Sequence, residues 1–70
     1  MKTETLRLKP QTCVYVKGIG AAKILDIVED TYFMLFYTGK SGQGWKDRDV
    51  EKTITPKMFW SEWNRAKGFR

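Results

Sequence analysis

The sequence predicts a mainly-β protein: a small five-stranded antiparallel barrel with one α-helix packed on it at the C-terminal end. Three observations predict it. Residues 12–54 form a run of short, mostly apolar segments divided by glycine-marked turns. Trp45-Lys46-Asp47-Arg48-Asp49-Val50-Glu51-Lys52 has the order of an aromatic strand, a tight polar turn and a short closing strand. Thr55-Pro56 then opens a stretch with helical rather than alternating apolar spacing.

The first ten residues are polar and end in Lys9-Pro10, which suggests an arm with a short edge strand at Thr5–Leu8. Strand one is expected at Thr12–Lys17, where Cys13, Tyr15 and Lys17 alternate with Thr12, Val14 and Val16. Gly18-Ile19-Gly20 follows as a turn. Strand two, Ala21–Val28, places apolar groups on both faces, and its alternation fails around Asp26, which implies a bulge there. Glu29-Asp30 makes a tight turn into strand three, Thr31–Tyr37. Tyr32, Met34 and Phe36 point one way and Phe33, Leu35 and Tyr37 the other. One set should fill the barrel, and the other must be covered. With three glycines in seven residues, 38–44 is expected to be a hairpin loop.

The cover is expected from the chain end. Thr55 is a good N-cap and Pro56 a good first helical residue, and Gly68 stands where a helix should stop. Phe59, Trp63 and Ala66 fall on one helical stripe, with Trp63 as the expected buried anchor and Met58 and Trp60 beside the stripe. The organisation is thus an arm (1–11), a barrel (12–54) and a helix (55–67) of the same domain.

Seventy residues allow one core, and a chain of that size buries only about 60% of its unfolded surface. Four Phe, three Tyr and three Trp are the expected compensation. Cys13 is the only cysteine, so no disulfide can form within the chain, and with no histidine a zinc site is not expected. The lone thiol and the polar start, which lacks a signal-peptide pattern, point to a cytoplasmic setting.

Val14-Tyr-Val-Lys-Gly18, Ala22-Lys-Ile-Leu-Asp-Ile-Val28, Tyr32-Phe-Met-Leu-Phe36 and Trp45–Lys52 together resemble the SH3-like small barrels, especially Tudor and KOW-type modules. The resemblance spans Val14–Ile54 and rests on apolar spacing rather than fixed residues. It implies a non-catalytic module that binds nucleic acid, a peptide or a larger protein, and fold alone does not choose among these.

Enzyme chemistry finds little support. Gly39-Lys40-Ser41 lacks the earlier glycine of a phosphate loop, since position 34 is Met, and a strand rather than a helix follows. Asp47 and Asp49 flank Arg48 as turn and ion-pair residues would, and Cys13 sits mid-strand without a candidate base. No cofactor or metal is expected. Tyr15, Tyr32, Tyr37 and Trp45 could line one rim as a cation-binding cage of the kind that Tudor-type barrels carry.

Charge gives the stronger expectation. The net charge of +5 comes from a +4 balance in 1–23, −3 in 24–39, +1 in 40–52 and +3 in 53–70. Lys17, Lys23, Lys40, Lys46 and Arg48 lie on neighbouring strands or loops of such a barrel and would meet phosphates, with Trp45 available to stack on a base. The plain alternative is a solvated surface, because Asp47, Asp49 and Glu51 are interleaved. The competing class is protein docking by a small accessory or inhibitor protein, phage- or mobile-element-borne ones included, with Trp60 and Met58 as its contact. A homodimer that buries these groups is a variant of the same idea.

Overall fold

The computed structural model describes residues 6–68. Five strands follow one another: β1 (Cys13–Val16), β2 (Gly20–Val28), β3 (Thr31–Phe36), β4 (Ser41–Trp45) and β5 (Val50–Ile54). A 3₁₀ turn, Asp47–Asp49, separates β4 from β5, and helix α1 (Pro56–Lys67) ends the described chain. All the strand pairs are antiparallel, in the spatial order β4-β3-β2-β1-β5. Consecutive hairpins build the first four strands. β5 returns to the opposite edge and pairs with β1, Cys13 opposite Ile54 and Val16 opposite Val50.

Alternation along the strands divides the side chains between two faces. Val14, Val16, Ala22, Ile24, Tyr32, Met34 and Phe36 form one buried cluster, and Leu6, Leu8, Trp45 and Val50 pack around it. Trp45 and Val50 belong to the two edge strands, so the sheet curls until both edges reach the same core. The other face is smaller. Cys13, Ala21 and the helix residue Phe59 are buried there, with Tyr15, Leu35, Tyr37, Ile54 and Trp63 at the margin. The two apolar sides of β3 are thus both used, one inside the curl and one under α1.

The irregularity expected at Asp26 is present: the β2–β3 register shifts between Ile24, opposite Met34, and Asp26, opposite Phe33. The extra residue bends β2 so that it serves both halves of the curled sheet. Glu29 and Asp30 form the hairpin turn with φ of 51° and 65°, the sense that suits a right-twisted two-residue hairpin.

Three expectations need correction. Residues 38–44 are not one loop, because β4 begins at Ser41 and pairs with β3 through Gly42 and Gln43. Main-chain groups supply that ladder, so glycine content does not prevent it. Leu6–Lys9 form no strand; Thr5 lies outside the described residues. The helix anchor is Phe59, which is fully buried, while Trp63 is only half-buried and Ala66 is exposed. The short side chains of Cys13 and Ala21 leave a hollow one turn earlier than the middle of the stripe, and Phe59 fills it.

The helix ends follow their local chemistry. The Thr55 hydroxyl accepts from the Met58 N–H at 3.1 Å, satisfying one of the unpaired first-turn donors. Gly68 adopts φ of 86° and donates its N–H to the Arg65 and Asn64 carbonyls. A side chain there would carry the left-handed penalty that glycine avoids.

Candidate nucleic-acid interface

The 3₁₀ turn is the polar centre of the structure. Tyr32, buried on β3, donates its hydroxyl hydrogen to the Asp47 carboxylate. The same hydroxyl oxygen accepts from the Leu8 N–H at 3.0 Å. Asp47 also accepts from the Arg7 N–H, 3.1 Å from Oδ2. Asp49 Oδ2 accepts from the Lys46 N–H at 3.0 Å, and its carbonyl accepts from the Lys17 N–H at 2.9 Å. Burial, and then the bond to Asp47, push the Tyr32 hydroxyl above the ordinary tyrosine pKa. Both conditions favour the neutral phenol.

The two carboxylates are tied to main-chain N–H groups and a tyrosine hydroxyl, while the main chains of Arg7, Lys17, Lys46 and Arg48 are gathered around the same turn. Arg7, Lys17 and Arg48 are exposed. Lys17, Lys46 and Arg48, named from the sequence, therefore share one region. Arg7 belongs with them and was missed, because an arm without periodicity gives no register from which to place it.

The other named residues lie elsewhere. Lys23 is on the helix-covered face, its Nζ 5.7 Å from the Trp60 ring centre. Lys40 ends the β3–β4 turn, accepting from the Phe36 N–H at 2.7 Å, and the Lys67 Nζ, which lies 4.5 Å from the Trp63 ring centre, comes close to neighbouring Gly39. Trp45 belongs to the inner cluster of the curled sheet. It is half-buried against Phe36, ring centres 4.8 Å apart and edge-on. The four-ring rim is not assembled either. Tyr32 is buried and bonded to Asp47, Trp45 packs in the curl, and Tyr15 and Tyr37 lie on the opposite face.

Cys13 is 2% exposed, and its thiol is raised above its ordinary pKa by burial, with nearby Lys23 acting in the other direction. A thiol so placed is a packing group rather than an activated nucleophile. Among the described residues, no group of three or more His, Cys, Asp or Glu could hold a metal ion, and no helix is long and apolar enough to cross a membrane. No protein-family model, curated protein or solved structure matches the chain.

Proposed function

We propose that the protein is a non-catalytic binding module of SH3-like barrel type that holds a nucleic-acid backbone against the edge formed by the 3₁₀ turn. The strand order and the 3₁₀ turn between β4 and β5 support the barrel assignment. The functional reading rests on one observation: the main chains of Lys17, Lys46, Arg48 and Arg7 meet at a turn whose carboxylates accept from main-chain N–H groups and the Tyr32 hydroxyl. Such an edge meets phosphates, and it carries no helix that could enter a groove to read bases.

Fluorescence anisotropy with labelled single- and double-stranded oligonucleotides tests this. Affinity should fall steeply with salt as bound counterions are released. Replacing Lys17 and Arg48 by glutamine should weaken binding and flatten the logarithmic salt slope by about 1–2, with the melting temperature nearly unchanged. No binding at low salt, or an unchanged slope in the variant, would overturn the reading.

A second reading, docking on a larger protein, is supported by Met58 and Trp60, 42% and 41% exposed on α1. Exposed aromatic and methionine side chains of this kind anchor protein interfaces. Trp60→Ala would abolish capture of such a partner and leave oligonucleotide binding intact.

A further inference from the structure

Opposite in character to the basic edge is a cleft of about 370 Å³ between the β1–β2 turn, β5 and α1. Its walls include Tyr15, Tyr37, Glu51 and Glu62, with Gly20 and Ile19 at the turn, and it has no lysine or arginine among its lining residues. In a chain of net charge +5, this concave site is lined by two carboxylates and two phenols and by no basic residue.

The construction of the cleft fixes the rings. Gly20 has φ of 127°, and a Cβ on it would lie 2.8 Å from Cε1 of Tyr37. The Tyr37 ring therefore rests directly on the Gly20 main chain. Tyr15 is placed by its cross-strand position opposite Ala21 and Lys52. The hydroxyls of Tyr15 and Tyr37 and the carboxylate of Glu51 make no hydrogen bond or ion pair among the described residues. This contrasts with Tyr32, whose hydroxyl is bonded twice. Glu62 has one exposed contact, 3.2 Å to Arg65 Nη1, which solvent screens. The ring of Tyr15 already attracts a cation, since the Lys52 Nζ lies 5.2 Å from its centre.

We infer that this cleft receives an arginine side chain from a peptide partner. A guanidinium is planar and can lie along an aromatic wall, and its five N–H donors suit a set of carboxylate and hydroxyl acceptors. A phosphate or carboxylate ligand would be repelled by Glu51 and Glu62. An apolar ligand would cover four acceptors and satisfy none of them. The site borders the basic edge, since Val16 and Gly18 of its wall flank Lys17, but it does not rest on the nucleic-acid reading, because it selects the opposite charge through other side chains.

The test is an NMR titration of the ¹⁵N-labelled full chain with three capped peptides, Gly-Arg-Gly, Gly-Lys-Gly and Gly-citrulline-Gly. Citrulline keeps the shape of arginine and removes its charge. The arginine peptide should give saturable shifts at millimolar concentration in the amides of Gly18, Gly20, Ala21 and Glu51. The citrulline peptide should give none, and the lysine peptide should bind more weakly. Glu51→Gln combined with Glu62→Gln should weaken the arginine peptide by at least about tenfold, with the melting temperature showing that the fold is kept. Equal binding of citrulline would overturn the cationic assignment, and equal binding of lysine the guanidinium assignment. Shifts centred elsewhere, or no saturable shift with the arginine peptide, would remove the site.

Discussion

Tyr32 does two jobs that a sequence pattern separates poorly. Its ring belongs to the alternating apolar set of β3, and its hydroxyl joins β3, the 3₁₀ turn and the arm at Leu8. The ring was legible from period-two spacing. The hydroxyl's partner was not, because it depends on the β3–β4 register that sets Tyr32 opposite Trp45, two residues before Asp47, and 38–44 read as a loop offers no such register. Tyr32→Phe keeps the packing but removes both the bond to the Asp47 carboxylate and the acceptor of the Leu8 N–H, so it should cost at least about 1.5–3 kcal/mol in denaturant unfolding. Alkaline titration gives a second readout. The folded protein holds the Tyr32 proton more tightly than the unfolded chain, whose tyrosines titrate near pH 10. That contribution is full below about pH 10 and is lost as pH rises through the higher folded value. Wild type should therefore lose more stability than Tyr32→Phe as the pH rises above about 10. Parallel loss in the two proteins would show that the phenol is not held in its neutral form.

Among the elements, α1 was the best anticipated in extent and the least well in its point of attachment. Thr55, Pro56 and Gly68 state their positions locally, through capping and left-handed geometry, and the helix ends where they say. The anchor depends on what lies beneath, and helical spacing alone cannot locate a hollow over Cys13 and Ala21. Phe59→Ala should cost about 3–5 kcal/mol, more than Trp63→Ala, whose indole keeps part of its surface in water. Chemical denaturation of the two variants decides it; a larger loss for Trp63→Ala would place the anchor a turn later. β4 shows the opposite failure. Its glycines suggest a loop, but hydrogen bonding from β3 holds its main chain, and a strand defined by its neighbour leaves little trace in composition.

For the molecule as a whole, the sequence disclosed that both faces of the sheet need covering and that basic charge is concentrated toward the chain ends. It did not disclose how the charges would group. Lys23 was expected beside Lys46, yet strand alternation sends it to the helix side and Trp60, whereas Arg7 arrives at the 3₁₀ turn from outside any strand. The cleft beneath Glu62 was equally invisible, since it joins β1, β5 and α1, which are far apart in the chain.

The pairing of β1 with β5 also bears on how the chain finds its structure. Three of the four ladders are hairpins between consecutive strands, but this one must bring residue 54 back to residue 13. Loop closure of that length is an entropic cost that short hairpins avoid. The β2–β3 hairpin, with its two-residue turn, can therefore organise before β5 arrives. Conservative truncations at Ile24 or Met34 should slow refolding, whereas Ile54→Val should mainly accelerate unfolding. Stopped-flow chevrons measure both limbs. A slowed refolding limb in Ile54→Val with an unchanged unfolding limb would mean that the two ends of the sheet meet in the rate-limiting step.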